Sequence, residues 1–293
     1  MRTARNPLYT GVNLPLLPQT ATFGPTPNTG TTFGADNLPQ ANGFSFTVPA
    51  GVLTGDVMIV ILSCYTYTSA APAVATPVSG GGPWTQLAAL SDSGPSGNGT
   101  SGYGTAWYRI ATAADPGSTF VTSFTGPQGA TNAFYWASAL QSYTNTKVAN
   151  PIDVAPAPAA TVSTSITFPT AVTTDNNDWT LLLIAFTGVV HTSPAGATLR
   201  QFMRSGAQNG VDIWDSNASA GPPGTTIGGQ NITSGSPDLF GVFTIGLAPK
   251  IVLKAGPSYA STAATDNTGT GSWLTVGNAT GPPDGNNTTW TVT

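Results

Sequence analysis

A short apolar run behind a Gly-Asp turn is the sequence feature that most constrains this fold. Residues 57–62 are six consecutive apolar side chains, rich in β-branched residues, and the run stops at polar Ser63. A run this short, with a turn signal on its flank, fits a strand buried on both faces better than a helix. Residues 177–186 repeat the design, because an acidic turn again precedes an apolar stretch. We therefore expect two such strands in the middle of β-sheets.

The neighbourhoods of these two runs also resemble each other. Three further pairs of segments match: 45–49 with 165–169, 83–87 with 197–201, and 107–108 with 213–214. The offset between the two halves is about 106 to 122 residues, and each half has a strand–turn–strand pattern. This pattern predicts a β-sandwich with internal pseudo-repetition.

The composition argues against substantial helix. Only 7% of the 293 residues are charged, against roughly 25% in an ordinary soluble domain. All 12 acidic residues are Asp, and Glu, a good helix former, is absent. The 35 Gly and 25 Pro residues supply turns, while the 40% hydrophobic share is enough to pack a core. An all-β fold is the expectation.

Charge and cysteine content exclude several classes of function. The net charge is −4 and the basic residues are scattered, whereas a phosphate-binding surface needs clustered Lys and Arg, so no nucleic-acid partner is expected. No apolar run approaches the roughly 20 residues needed to cross a bilayer, so no membrane association is expected. The basic N-terminus is not followed by the apolar segment (h-region) of a secretory signal peptide. The single cysteine, Cys64, permits no intrachain disulfide and reads as an inert core thiol.

The chain divides into three expected segments. Residues 1–43 are Pro-rich with interspersed apolar residues, and we interpret them as an extended arm that becomes ordered against a neighbouring subunit or another protein; a flexible terminus is the alternative. The expected partner-binding residues of the arm are Tyr9, Leu14, Leu16, Leu17 and Phe23.

Residues 44–249 carry the expected domain, an antiparallel β-sandwich or jelly roll. Its eleven expected strands lie near residues 44–48, 57–63, 84–90, 105–110, 119–124, 133–143, 165–169, 179–186, 198–203, 211–215 and 239–247. Residues 250–293 read as a C-terminal β extension or the start of a second β module, too short to close a sandwich alone.

No constellation of residues predicts catalysis. The sequence contains no nucleophile-elbow motif for which the sole histidine, His191, could act as the general base. We therefore expect His191 to be a satisfied or exposed loop histidine. Two carboxylate pairs, Asp175 with Asp178 and Asp212 with Asp215, have the residue type for glycoside cleavage. Turn formation explains Asp175 and Asp178 better than catalysis does, and calcium binding is the alternative for this pair. Asp212 and Asp215 flank two residues of a predicted strand, so their side chains should point to opposite faces of the sheet. We therefore expect no catalytic residue, no cofactor and no metal.

The seven tryptophans could serve core packing or sugar binding. Trp107, Trp136 and Trp179 sit among apolar neighbours, so core packing is the favoured interpretation for these three. Recognition of host surface glycans by exposed rings is kept as the alternative function.

The order of several blocks gives a family resemblance. The blocks are Gly55-Asp56 with its strand, residues 82–87, 106–111 and 115–120, and Asn150-Pro151-Ile152-Asp153. In this series the chain resembles a β-sandwich module found in virion proteins of tailed bacteriophages, notably minor tail proteins and surface appendages. Residues 278–285 look like the opening of another module common in those proteins. The resemblance covers roughly residues 44–248 and 272–293, and its motifs are structural rather than catalytic.

The resemblance implies a non-enzymatic virion component, made in the host cytoplasm and displayed in the tail or as a capsid decoration. Its partners would be other virion structural proteins, in a homo-oligomer or multi-copy assembly, with the N-terminal arm as the anchor. A host-glycan adhesin is the second hypothesis, and a glycan depolymerase is the third.

Overall fold

The computed structural model describes residues 20–23, 25–38, 44–66, 73–74, 83–92, 101–122, 124–125, 134–175, 177–186, 191–205 and 209–253. These residues contain strands and no helix, so no helix among them is long and apolar enough to span a bilayer. The strands are β1 Thr20–Phe23, β2 Thr26–Leu38, β3 Phe44–Thr47, β4 Val57–Thr66, β5 Ala73–Val74, β6 Thr85–Asp92, β7 Ser101–Ile110, β8 Thr119–Thr122, β9 Phe124–Thr125, β10 Phe134–Thr144, β11 Ile152–Val154, β12 Ala159–Thr167, β13 Ala171–Val172, β14 Trp179–Phe186, β15 Thr198–Ser205, β16 Asn209–Ser219, β17 Thr226–Ile227, β18 Asn231–Leu247 and β19 Lys250–Leu253. The all-β expectation is confirmed.

Two large antiparallel sheets dominate the described chain. Sheet 1 has the strand order β2-β10-β4-β7-β6, and sheet 2 has the order β11-β18-β14-β16-β15, with β12 also paired to β18. The pairs β1–β19, β3–β8, β5–β9 and β13–β17 form small two-stranded sheets. The two apolar runs, as β4 and β14, lie between other strands of their sheets, as the sequence predicted. Each of the eleven expected strands overlaps an observed one.

The two sheets are built on the same plan, one from each half of the chain. Strands β10, β4, β7 and β6 of the first repeat (residues 26–144) correspond in order to β18, β14, β16 and β15 of the second repeat (residues 152–247). The register fixes the correspondence: Trp107 lies opposite Val60, and Trp214 lies opposite Leu182. The sequence match of 107–108 with 213–214 had aligned Trp107 with Ile213. Strand pairing aligns Trp107 with Trp214 instead, so the sequence match is displaced by one residue.

The turn before each central strand uses the same backbone hydrogen bonds. In the first repeat, the N–H of Gly55 donates to the carbonyl of Ala111 at 2.8 Å, and the N–H of Ala111 donates to the carbonyl of Asp56 at 2.7 Å. In the second repeat, the bonds from Asn177 to Gly221 and from Ala220 to Asp178 measure 2.7 and 2.6 Å. Gly55 and Asn177 both have positive φ, 90° and 61°, a conformation that Gly and Asn tolerate best.

Each central strand is buried on both faces, which explains why its apolar run is continuous. Ile61 of β4 and Leu183 of β14 face a common inner core between the sheets, while Leu62 and Leu182 face outward into separate clusters. The outer cluster of sheet 1 includes Cys64, which is fully buried as expected for a core thiol. Burying a side chain of this size stabilises the fold by about 1.5–3 kcal/mol, so the three cores dominate the stability.

The N-terminal boundary differs from the expected one at residue 43. The chain forms two compact units: residues 22–250, and residues 1–21 with 251–293. Thr26–Leu38 belong to the first unit as β2, which pairs with β10 along most of its length. Sequence reasoning missed β2 because its Thr, Gly and Pro residues show no apolar alternation; the strand forms because β10 supplies its hydrogen-bond partners.

Candidate functional site

The carboxylates that the sequence singled out are divided among three clusters. Asp212 and Asp215 lie on opposite faces of sheet 2, as expected: Asp212 is beside the outer-cluster residue Phe186, and Asp215 receives the hydroxyl of Tyr143 from sheet 1. Asp178 lies apart from both, in the turn before β14. Asp212 and Asp215 therefore do not face one common position, as the two carboxylates of a glycosidase would.

The sole histidine belongs to the Asp212 cluster. His191 Nε2 lies 2.9 Å from Asp212 Oδ2, and both side chains are buried. Arg204 holds the same carboxylate at 2.6 and 3.3 Å, and its guanidinium stacks 4.2 Å above the ring of Phe186. The His191 ring also meets the ring of Trp214 edge-on at 5.5 Å. His191 is thus a buried histidine beside a carboxylate and not an exposed loop residue, the second of the two interpretations that its sequence position allowed.

The Asp215 cluster ties the two sheets together. Arg200 binds Asp215 through two hydrogen bonds of 2.7 and 2.9 Å, and the Tyr143 hydroxyl donates to Asp215 at 3.3 Å. Burial, followed by the charge and the hydrogen bond of Asp215, raises the pKa of Tyr143 well above its usual value. The hydrogen bond to Asp215 raises the pKa of Arg200. Both groups therefore hold their protons at all ordinary pH values, which suits a structural contact.

The third cluster is an acid pair near the connection between the repeats. Asp178 has no solvent exposure, and no N–H or hydroxyl group of the described residues donates to its carboxyl oxygens. The side chain of Asp153 on β11 is among the groups that raise the pKa of this carboxyl group. Asp153 in turn accepts hydrogen bonds from the backbone of Thr174 at 2.6 Å, from the Thr174 hydroxyl, and from the backbone of Asp175 at 3.2 Å. Lys147 binds Asp175 at 2.8 Å.

Two carboxyl groups in contact cannot both be ionised cheaply, and the pKa values of the pair diverge accordingly. Burial, then the hydrogen bond and charge of Asp153, and then the charge of Asp175, raise the pKa of Asp178 to about 8, and Lys147 offsets part of this. Burial would raise the pKa of Asp153 too, but its hydrogen bonds to Asp178, Thr174 and Asp175 outweigh that effect and lower the pKa to about 2. The pKa of Asp178 thus lies above neutral pH and that of Asp153 lies below it.

The first repeat has an amide at the position of Asp153. Asn28 follows the β2 residue that pairs with Tyr143, and Asp153 follows the β11 residue that pairs with Leu247. Tyr143 and Leu247 correspond, because they pair with the first residues of β4 and β14. Asn28 and Asp153 are thus equivalent positions.

The Asn28 amide makes an ordinary hydrogen bond where the second repeat has the acid pair. Its Nδ2 donates to Asp56 Oδ2 at 2.8 Å and to the carbonyl of Gly51 at 2.9 Å. The backbone of Leu53 also donates to Asp56 Oδ2, at 3.0 Å. One oxygen of the Asp56 carboxylate therefore accepts two N–H donors, the Asn28 amide and the Leu53 backbone.

The two edge strands β6 and β15 also differ between the repeats. Leu199 and Phe202 on β15 are 43% and 59% exposed, and the equivalent residues of β6 are Gln86 and Ala89. Leu199 and Phe202 lie opposite Trp214 and Asp212 of β16 and so share the outer face of sheet 2. The second repeat therefore exposes a large apolar pair where the first has a polar and a small side chain.

The tryptophans of the described chain serve as core residues. Trp84, Trp107, Trp136 and Trp214 are buried, and Trp179 is half-buried against the inner core. Core packing is thus confirmed for Trp107, Trp136 and Trp179, the three tryptophans for which the sequence favoured it. Trp273 and Trp290 lie outside the described residues, as do the arm residues Tyr9, Leu14, Leu16 and Leu17; Phe23 is part of β1.

Sequence reasoning missed Asp153, which it used only as part of a block in the family resemblance. The available signal was the repeat itself, because aligning the two halves at Tyr143 and Leu247 places Asp153 on Asn28. Within the described ranges, no group of three His, Cys, Asp or Glu side chains could hold a metal ion, so the calcium alternative at Asp175 and Asp178 gains no support. No protein-family model, curated protein or solved structure matches the chain.

Proposed function

We propose that this chain is a non-enzymatic structural component of a bacteriophage virion, exposed in the tail or as a capsid decoration. The observation that supports it most is how the buried ionisable groups are used. Asp115, Asp212 and Asp215 each bind an arginine through two hydrogen bonds, and Asp56 binds a turn and an amide. Such groups stabilise turns and sheets.

The architecture supports the same function. We interpret the two sheets, which share an inner core, as a β-sandwich made from two copies of one strand module. The series of sequence blocks that resembles virion proteins runs through the first copy and ends at residues 150–153, where the second begins. A charge-poor, Thr- and Gly-rich β protein of this kind suits a multi-copy assembly with other virion structural proteins.

Attachment is assigned to the residues that precede β1. Their apolar side chains Tyr9, Leu14, Leu16 and Leu17 would supply the affinity, and their prolines would limit the entropy lost on ordering. The anchor is therefore shorter than the arm expected from the sequence, since residues 26–38 are a strand of sheet 1.

The test uses the phage whose genome encodes the chain. Peptide mass spectrometry of purified particles should detect the full chain at a constant copy number. Deleting residues 2–19 should give a protein that is folded by circular dichroism and absent from particles. The matched control replaces polar Asn6, Thr10 and Asn13 of the same segment by Ser and should incorporate normally. Absence of the unaltered chain from particles would overturn the virion assignment; normal incorporation of the deletion variant would overturn only the anchor.

The glycan-binding adhesin remains an alternative without a supporting observation. A sugar platform needs two or three exposed rings around one groove, and the described tryptophans lie in the cores.

A further inference from the structure

We propose that the two ends of the chain act together as one attachment module, in which residues 251–293 bind the neighbouring virion protein beside residues 1–19. The inference rests on the proposed function, because it extends the anchor assigned there to the N-terminal segment. The observation that carries it is that Asn145, in the connection between the repeats, contacts the starts of both β2 and β19.

Two consecutive residues of the chain, Thr144 and Asn145, lie between these two starts. Thr144 pairs with Thr26, the first residue of β2. The Asn145 side chain donates from Nδ2 to Thr26 Oγ1 at 3.4 Å, and the Asn145 carbonyl accepts the N–H of Lys250, the first residue of β19, at 2.7 Å. The chain therefore enters β2 and continues into β19 at one place, although Thr26 and Lys250 are more than 200 residues apart.

The residues around Asn145 fix the start of β19 further. The φ of Asn145 is 57°, in the left-handed region that Asn tolerates better than most residues. Thr146 forms an antiparallel bridge with Pro249, and the N–H of Lys147 donates to the carbonyl of Ala248 at 3.0 Å. The direction in which the C-terminal segment continues is thus set by backbone contacts with the connection.

Beyond this point the two segments pair with each other. Strand β1, just before β2, forms a two-stranded sheet with β19. Two strands alone form a marginally stable sheet, and the Asn145 contacts lower the entropy cost of pairing because they hold the ends of the strands close together. Phe23, one of the expected partner-binding residues of the arm, belongs to β1 and hence to a strand that is paired with the C-terminal segment.

The composition of the C-terminal segment indicates the kind of surface that the module binds. Residues 251–293 contain Trp273 and Trp290 and only three charged side chains. Tryptophan is enriched among the residues that dominate binding at protein interfaces, whereas charged side chains are depleted at interface centres. The expected partner surface is therefore an apolar groove on a neighbouring virion protein, which also binds the apolar residues of the N-terminal segment.

Hydrogen exchange followed by mass spectrometry tests the module on the isolated full-length chain. Deleting residues 251–293 should raise the exchange of peptides covering β1 to nearly that of an unfolded peptide, because β1 loses its pairing strand. Peptides covering β2 should keep their protection, since β10 still pairs with β2. Unchanged exchange of β1 after the deletion would overturn the module, whether or not the chain belongs to a virion.

Incorporation into particles tests the binding role. Deleting residues 251–293 should lower the copy number in particles at least about tenfold, as deletion of residues 2–19 should, while circular dichroism shows a folded β protein. The matched control replaces Thr262, Thr265 and Thr268 by Ser and should incorporate normally. Normal incorporation of the C-terminal deletion alone would overturn this inference and leave the N-terminal anchor intact. Absence of the unaltered chain from particles would overturn the proposed function as well.

A variant that retains both segments distinguishes one joined module from two independent anchors. Val252→Pro with Leu253→Pro removes the backbone N–H groups on both sides of β19, so pairing with β1 should be lost. Val252→Ile with Leu253→Ile keeps these groups and is the control. We expect only the proline variant to expose β1 to exchange and to be lost from particles. Normal incorporation of the proline variant would show that the segments bind independently and would overturn the module.

Discussion

Ser63 on β4 and Asn209 on β16 bind each other through two hydrogen bonds at the inner core between the sheets. The Ser63 hydroxyl donates to Asn209 Oδ1 at 2.5 Å, and Asn209 Nδ2 donates to the Ser63 carbonyl at 3.1 Å. Both residues are buried, and each belongs to a different repeat. Together with the Tyr143–Asp215 hydrogen bond, this contact gives the largely apolar interface a polar element that fixes how the repeats are aligned, because another register would break both hydrogen bonds between Ser63 and the Asn209 amide.

Replacing Ser63 by Ala should therefore destabilise the protein. The substitution leaves the buried acceptor of Asn209 unpaired, and such a loss costs about 1–3 kcal/mol. Urea denaturation followed by tryptophan fluorescence measures the difference. Ser193→Ala, at an exposed position, is the control and should change the free energy of unfolding by less than about 0.5 kcal/mol. Equal stabilities of the two variants would show that the buried contact contributes nothing.

A charge in the centre of the inner core should prevent folding. Ile61 has no solvent exposure and packs between the sheets, so Ile61→Asp would bury a carboxylate without a partner. Leu183→Asp should behave in the same way, since Leu183 is equally buried in that core. Val172→Asp on β13 is the control, because Val172 is 55% exposed, and it should stay soluble and melt cooperatively. A cooperative melt of the Ile61→Asp protein would contradict the position assigned to β4.

The acid pair should give the stability a distinctive pH dependence. The folded-state pKa of Asp178, about 8, lies above its unfolded value near 4, so its contribution is greatest below pH 4 and falls as pH rises to 8. The pKa of Asp153, about 2, is lowered, so its contribution is lost as pH falls from 4 to 2. The slope from Asp178 is at most about 1.4 kcal/mol per pH unit.

Subtracting the unfolding free energy of Asp178→Asn from that of the unaltered chain isolates this effect. The difference, measured by urea denaturation at several pH values, should decline between pH 4 and pH 8 and level off above. A difference that is constant over this range would mean that Asp178 is ionised throughout.

Strand β2 should contribute to stability, although it lies within the segment that the sequence presents as an arm. Its removal exposes the edge of β10 and deletes both the partly buried Phe33, which packs against Phe46 at 5.8 Å, and the Asn28 contact to Asp56. Deleting residues 2–40 should therefore lower the free energy of unfolding by at least about 3 kcal/mol relative to deletion of residues 2–19. Indistinguishable denaturation midpoints would show that β2 is dispensable.

The apolar pair on β15 should be dispensable for folding. The double variant Leu199→Gln, Phe202→Ala introduces the residue types found at the equivalent positions of β6. Both positions are largely exposed to solvent. We expect a change in unfolding free energy of about 0.5 kcal/mol or less, measured in urea. A loss of several kcal/mol would instead show that Phe202 supports Arg204, which its ring meets at 6.0 Å.

Local sequence was sufficient to predict the central strands and the repetition. The runs around Ile61 and Leu183 are apolar at every position because both sheet faces are covered, and this pattern is visible without any partner. The turns at Asp56 and Asp178 were visible for the same reason, since their residue types act through nearby backbone.

Tertiary structure alone decided which residues those strands and turns would meet. Strand β2 has no apolar pattern and exists because β10, more than 100 residues later, supplies its hydrogen bonds; the separation between Thr29 and Ser142 is 113 residues. Asp153 became half of an acid pair for the same reason, because β11 places it against Asp178. A strand's apolar run is a property of its own residues, whereas a pairing partner or a raised pKa depends on atoms that only the folded chain brings together.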